Sequence, residues 1–203
     1  MEQQPVVFVV DDDPAVRTGI KFLVSSVDLQ FAEFSSAREF LDSYDPSRPG
    51  CLILDIRMPK MGGLELQDEL NKLDFILPII FLTGHGDVPV SVKALKAGAF
   101  DFIEKPPQDQ VLLDTIQKAL RKDAQDRETM QHKQQLKAKL SLLSDKDVEV
   151  LKMIADSQPN KTIAFKMGLS EKTIEYHRAK IMKKLEVPSI QELVKFALEA
   201  GML

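Results

Sequence analysis

Residues 6–10 read Val-Val-Phe-Val-Val, an unbroken apolar run that ends in Asp11-Asp12-Asp13. A strand that is apolar at every position has no face to offer water, so it must be covered on both sides. The pattern returns. Residues 51–54 (Cys-Leu-Ile-Leu) end in Asp55, residues 78–82 end in Thr83, and residues 100–103 lead into Glu104-Lys105-Pro106. Residues 30–34 are a further, less apolar strand candidate. Between these runs the apolar spacing changes to that of helices, over residues 15–27, 36–43, 64–73 after Gly62-Gly63, 88–97 closed by Gly98, and 108–120. Strands alternating with helices predict βαβ units around a parallel sheet, here in a domain of residues 1–122. In an open doubly wound sheet the carboxyl ends of the strands line one crevice. Asp11, Asp12, Asp55, Thr83 and Lys105, each just after a strand, are therefore expected to meet.

The rest of the chain reads differently. Residues 123–141 are rich in Lys, Gln, Asp and Glu and hold no Gly or Pro, which predicts a helical extension acting as a semi-rigid linker. Met130, Leu136 and Leu140 are too sparse for a coiled-coil seam. Residues 142–203 show only helical patterns: 148–155 capped by Ser144 or Asp145, a short helix at 161–167, a turn at Gly168-Leu169, a longer helix at 171–185 capped by Ser170, and a last helix at 190–200. Charge divides in the same way. Residues 1–122 carry a net −6, while residues 160–184 carry a net +5. An acidic half beside a basic stripe predicts two modules with different partners. No apolar run reaches the roughly 18 residues of a membrane span, and the N-terminus lacks the basic and apolar parts of a secretory signal. The one cysteine, Cys51, permits no internal disulfide and reads as a buried strand residue, so a cytoplasmic location is the default expectation.

Clustered carboxylates repel unless a cation joins them. With no His or Cys among the candidates, a hard divalent ion such as Mg²⁺ suits the oxygen donors. A nearby lysine can hold a transferred phosphoryl group, and a carboxylate can be its covalent acceptor. Taken one at a time the residues also admit plain readings. Asp11–Asp13 can cap a helix, Asp55 can be a turn residue, Thr83 can simply end a strand, and Lys105-Pro106 can be a loop. His85, in the glycine-flanked segment 84–89, invites a reading as a base, but this chemistry needs no histidine from the chain.

As a set, Val9-Val10-Asp11-Asp12-Asp13, Leu54-Asp55-Ile56-Arg57-Met58-Pro59 with Gly62-Gly63, Leu82-Thr83-Gly84 and Glu104-Lys105-Pro106 resemble the receiver domain of two-component response regulators. The resemblance implies a five-stranded sheet of order 2-1-3-4-5. It implies Asp55 as phosphoacceptor for a sensor histidine kinase, and Mg²⁺ held by Asp11, Asp12, Asp55 and the backbone carbonyl of Arg57. Thr83 and Lys105 then contact the phosphoryl group. Phe102 stands where such domains carry an aromatic switch, against the alternative of plain core packing. Residues 90–96 and 100–103 are the implied face of an inducible dimer, and Lys105-Pro106 resembles the family's cis peptide.

In the C-terminal region Ile174, Ile181 and Leu185, with His177 or Arg178 in the intervening turn, form a stripe that packs the long helix down. Its other face carries Lys172, Thr173, Glu175, Tyr176, Ala179, Lys180 and Lys183. A short helix, a turn and a longer basic helix fit the helix-turn-helix plan, although a basic face is also found on ordinary solvated helices. The strings Asn160-Lys161-Thr162-Ile163-Ala164, Ser170-Glu171-Lys172-Thr173-Ile174-Glu175-Tyr176-His177-Arg178 and Ile181-Met182-Lys183-Lys184-Leu185 resemble the LuxR-type helix-turn-helix of the NarL/FixJ response regulators. That implies Glu175, Tyr176 and Ala179 facing bases, with Lys161, Lys172, Thr173, Lys180 and Lys183 near the DNA backbone. His177 is implied to be structural, and Leu193, Val194, Ala197 and Leu198 to lie on a dimer surface. The chain departs from that family at Lys146-Asp147 (Arg-Glu), Ser157 (Gly), Thr162 (Glu) and Glu186 (Gly), which bears on helix packing and turn geometry.

Together these features predict a transcription regulator rather than an enzyme. Phosphoryl transfer to Asp55 is expected to promote a homodimer that binds double-stranded DNA and works with RNA polymerase. A metal-dependent phosphatase needs a pocket acid to protonate a leaving group, and none is evident. A module whose tail docks on protein is opposed by the basic helix.

Overall fold

The computed structural model describes residues 4–73, 77–84, 92 and 94–202. The elements are β1 (Val6–Val10), α1 (Pro14–Ser25), β2 (Gln30–Phe34), α2 (Ala37–Ser43), β3 (Gly50–Asp55), α3 (Gly63–Lys72), β4 (Ile79–Thr83), β5 (Asp101–Glu104), α4 (Asp109–Ser141), α5 (Asp145–Ala155), α6 (Asn160–Met167), α7 (Glu171–Leu185) and α8 (Ile190–Glu199). Of the helix expected over residues 88–97, only Val92 and residues 94–96 are described as helical, and Gly98 follows at φ 95°. The loop from His85 to Pro89 lies outside the described residues.

Internal contacts divide the chain into residues 1–127 and 128–203. The first unit is built on a five-stranded sheet, order β2-β1-β3-β4-β5, with every pairing parallel. Strand alternation explains why β1 is apolar throughout. Val6, Phe8 and Val10 join Leu52, Leu54, Ile79 and Phe81 in a core with α2 and α3. Val7 and Val9 point the other way, joining Cys51, Ile53, Ile80 and Leu82 in a core with α1 and the first turns of α4. Each apolar run thus serves two cores, and the sheet has no wet face along its centre.

The second unit is helical, around Leu136, Val150, Leu151, Ile154, Ile163, Ile174, Ile181, Leu185 and Leu193. Ser144, Ser170 and Ser189 cap α5, α7 and α8 by accepting backbone N–H bonds from the third helical residue, and Gly168 closes α6 in the left-handed conformation. Two departures from the family pattern find their meaning here. Ser157 (φ 58°) and Glu186 (φ 57°) both adopt the left-handed conformation that glycine takes freely. Each therefore carries a backbone cost of about 1–2 kcal/mol.

The expected spacer is helical, as the final half and more of α4. Its ends are not free. Asp123 is buried and accepts from the Gly50 N–H at 2.9 Å and from Arg127 Nε. Arg127 also donates to the carbonyls of Pro46, Ser47 and Arg48 at 3.1, 3.2 and 2.8 Å. These bonds hold the helix to the first unit, while Leu136 and Leu140 pack into the core of the second.

Candidate functional site

The sheet order puts the ends of β1 and β3 side by side, with β4 beyond β3 and β5 at the edge. Asp11 follows β1, Asp55 ends β3, Thr83 ends β4 and Lys105 follows β5. Asp11 and Asp55 are 1% and 7% exposed. Ligand oxygens of Asp11, Asp12 and Asp55 all lie within 4.8 Å of one another. Lys105 Nζ bridges two of these carboxylates, at 2.7 Å from Asp11 Oδ2 and 2.9 Å from Asp55 Oδ1. The capping role open to the triple aspartate falls to Asp13 alone, which accepts from Ala15 N ahead of Pro14 at the start of α1. That leaves Asp12 exposed beside the cluster. Arg17 fixes the turn by donating to the Asp11 carbonyl at 2.7 Å.

Close packing beneath Asp55 is set by glycine. A Cβ on Gly63 would lie 2.2 Å from the Asp55 carbonyl oxygen, so only glycine lets α3 begin so near the end of β3. Arg57, two residues on, is exposed, and its backbone bonds the Asp55 carboxylate.

Two of the three carboxylates share one lysine, and the third, Asp12, adds its charge beside them. Burial pushes the Asp55 carboxyl above its ordinary range, with the neighbouring Asp11 charge adding to the rise and Lys105 opposing it. Burial works against the Lys105 ammonium as well, but its bonds to Asp11 and Asp55 prevail and raise its pKa. The oxygen-only donor set with surplus negative charge fits a hard divalent cation.

Thr83 is buried, its hydroxyl donating to the Gly84 carbonyl at 3.1 Å. Phe102 is 38% exposed and belongs to neither core, while its neighbour Ile103 is buried, so plain core packing does not describe it. Val92, Leu95 and Val111 are also exposed apolar residues. The Lys105–Pro106 peptide is cis. Beside it opens a cleft of about 510 Å³, lined by Val16, Gly19, Ile20, Leu23, Pro106 and Leu112 among others.

In the second unit α7 buries Ile174, Ile181 and Leu185, the stripe expected from spacing. Lys161, Lys172, Glu175, Tyr176, Ala179 and Lys183 are exposed, Tyr176 at 66%. Two expected backbone contacts are engaged within the protein. The Thr173 hydroxyl is bonded to Ser170 Oγ at 2.8 Å. Lys180 Nζ lies 2.9 Å from Asp147 Oδ2. Of the two residues offered for the turn between apolar positions, Arg178 is bonded to Asn160 and His177 Nδ1 lies 2.7 Å from Asp147 Oδ1.

Asp147 is the residue that sequence reasoning undervalued. It is 0% exposed. Ser144, three residues earlier, announces a capping box, and that local pair is present. Nothing in the string announces that the same carboxylate reaches α7. Asp123 and Arg127 carry only the i, i+4 signal of an ordinary helical pair. Gln67, fully buried on α3, donates to the carbonyls of Ala94 and Ala97.

The pattern of the response regulator receiver domain matches residues 7–117, and that of the bacterial regulatory proteins of the luxR family matches residues 141–197. The chain is 44% identical over 194 residues to the response regulator protein TmoT of Ectopseudomonas mendocina, covering 96% of this chain and 88% of that protein. It is 39% identical over 201 residues to the transcriptional regulatory protein FixJ of Azorhizobium caulinodans, covering 99% and 95%. Among solved structures, the response regulator StyR superposes with a TM-score of 0.87 at 41% identity, covering 97% of this chain and 99% of that one.

Proposed function

We propose a phosphoryl-controlled switch for this chain, which belongs to the family of response regulators that join a receiver domain to a LuxR-type DNA-binding domain. It is a transcription regulator and not an enzyme, its receiver implies a histidine kinase partner, and its LuxR-type domain implies DNA. No helix among the described residues is long and apolar enough to cross a membrane. We place the protein in the cytoplasm, where kinase output and DNA meet. The working parts are a receiver of residues 1–122, a helical linker of 123–141 and a DNA-binding domain of 142–203.

The observation that carries the reading is Asp55, buried at the end of β3, bonded to Lys105 and crowded by Asp11 and Asp12. An Asp55 carboxylate oxygen attacks the phosphorus of the kinase phosphohistidine, and the histidine nitrogen leaves. Asp11, Asp12, Asp55 and the Arg57 carbonyl would hold Mg²⁺, which would supply positive charge for the phosphoryl oxygens. Lys105 already stands at Asp55 and serves the same oxygens from the protein side. The cleft beside Lys105 and Pro106 gives the donor a docking surface. Once formed, the acyl phosphate carries roughly −1.5 to −2 charges where the carboxylate carried one, and its three strong acceptor oxygens draw Thr83 and Lys105 toward it. Phe102 then turns from its exposed position, and the face around Val92, Leu95 and Val111 becomes the contact of a homodimer.

Dimerisation brings two LuxR-type domains to a two-half-site operator, and RNA polymerase is the partner that follows. Glu175, Tyr176 and Ala179 read bases, with Lys161, Lys172, Thr173 and Lys183 on the backbone. To move such a switch from 1:99 to 99:1, the phosphate must favour the active state by about 5.5 kcal/mol.

The test is light scattering and DNA binding with Mg²⁺, with and without beryllofluoride, on wild type and Asp55→Asn. A beryllofluoride-dependent dimer with tighter DNA binding, absent in the variant, is expected. DNA binding that ignores beryllofluoride in the wild type removes Asp55 as the switch.

A further inference from the structure

Lys180 was expected among the residues that neutralise DNA phosphates. In the structure its side chain is partly exposed, but its ammonium is paired with a buried carboxylate. One carboxylate, Asp147 on α5, takes His177 Nδ1 on one oxygen at 2.7 Å and Lys180 Nζ on the other at 2.9 Å. Ser144 Oγ adds a bond to the Lys180-bearing oxygen at 2.8 Å. His177 and Lys180 are three residues apart on α7, so they project from one side of that helix one turn apart. Two directional bonds to one fixed point determine the rotation of α7 about its axis and its slide along α5.

The apolar contacts of α7 do not do this alone. Ile174, Ile181 and Leu185 decide which side of the helix is buried. Burial, however, is non-directional and tolerates small rotations. Base readout does not, because hydrogen bonds weaken steeply as their angles bend. A carboxylate that is 0% exposed also holds its partners firmly, since leaving it unpaired is costly. Tyr176 lies next to this anchor, its ring 6.0 Å from that of His177 in an edge-on arrangement, while remaining 66% exposed.

Building on the DNA-binding reading above, we propose that Asp147, His177 and Lys180 are positioning residues that set the roll of α7, and so decide which base pairs it discriminates, and that Lys180 is not a phosphate contact. The two roles leave different signatures. A phosphate contact contributes counterion release, so its loss lowers the salt slope of binding by about one and weakens all sequences alike. An anchor contributes none. Its loss leaves the slope in place and lowers the preference for the right sequence over the wrong one.

The experiment uses the full chain with beryllofluoride and two probes: a duplex selected from a random pool by the wild-type protein, and a random-sequence duplex of equal length. Affinities are measured across a salt series for wild type, Lys180→Met and Lys180→Gln, with folding checked by circular dichroism. For Lys180→Met the expected result is an unchanged salt slope on the random duplex and a fall of about tenfold in the selected-to-random affinity ratio. Lys180→Gln, which can still donate to Asp147 but carries no charge, should recover part of that ratio at the same slope. A slope lower by about one in both variants, with the ratio intact, overturns the proposal, as does an unchanged ratio in Lys180→Met. Should Lys180→Met not fold, the slope of Lys180→Gln decides: unchanged supports the anchor, lower by about one makes Lys180 a phosphate contact. If the wild type itself shows no salt-dependent binding to either duplex, the DNA-binding reading fails instead, a result distinct from these.

Discussion

Each unit of this protein buries an aspartate against a lysine, and the two sites are opposite in charge balance. At the strand ends, Lys105 is shared between Asp11 and Asp55 with Asp12 close by, so three carboxylates cluster around one cation that pairs with two of them. In the helical unit Asp147 stands alone and gathers Lys180, His177 and Ser144. The first site has unmet negative charge and can gain from a metal ion or from chemistry at Asp55. The second is satisfied within the protein and has nothing left to bind. A buried ion pair by itself says little about function. The surplus or balance of charge around it separates a reactive site from a joint.

That contrast can be broken by mutation. Asp147→Ala should destabilise the second unit by about 1–3 kcal/mol, because the capping bonds with Ser144 and the bonds from His177 and Lys180 are lost together. Calorimetry of the full chain should show that transition move while the receiver transition stays in place. A loss below about 1 kcal/mol, the worth of a surface pair, would sink the satisfied-joint reading.

Asp55→Asn should act in the other direction. With chelator present, removing one of the crowded charges should stabilise the receiver, by an amount of the order of 1 kcal/mol. The pH dependence then has opposite sign in the two units. Burial raises the Asp55 carboxyl above its ordinary value. The stability linked to it is present below about pH 4 and is lost as pH rises through the raised value. At Asp147 burial opposes ionisation, but the bonds from His177, Lys180 and Ser144 prevail and hold the carboxyl well below its usual range. Its contribution is whole above about pH 4 and is lost as pH falls through the lowered value. Melts of wild type against Asp55→Asn and against Asp147→Asn, over a pH series, should show differences that diverge in this way. Parallel differences would mean that the two sites are electrostatically alike.

The smallest effect tests whether the second unit's stability resides in its joint or in its turns. Ser157→Gly and Glu186→Gly should each add about 1 kcal/mol by relieving a left-handed backbone. Each gain should persist in the Asp147→Ala background, as expected for sites with no shared partner. A gain that vanishes there would tie the turns to the anchor.

Much of this molecule was legible before its structure. Five residues of unbroken apolar sequence can be accommodated only by a strand covered on both sides, so β1 and its two cores follow from hydrophobicity alone. The placement of Asp11, Asp55, Thr83 and Lys105 after successive strands then follows from the geometry of a parallel sheet. The cap at Ser170 and the apolar stripe of α7 are equally local, because both rest on spacing within one helix, which repeats every 3.6 residues wherever it sits. Other features had no local signal. That Gly63 must approach the Asp55 carbonyl, that Arg127 reaches three carbonyls of the loop before β3, and that Asp147 pairs with both His177 and Lys180 of α7 all depend on distances between segments far apart in the chain. The amino-acid sequence by itself determined which faces are buried and which residues end the strands, since these rest on periodicity and solvation. Only the tertiary structure decided which charges find partners, because an ion pair is set by a few ångströms of separation that no one-dimensional pattern contains.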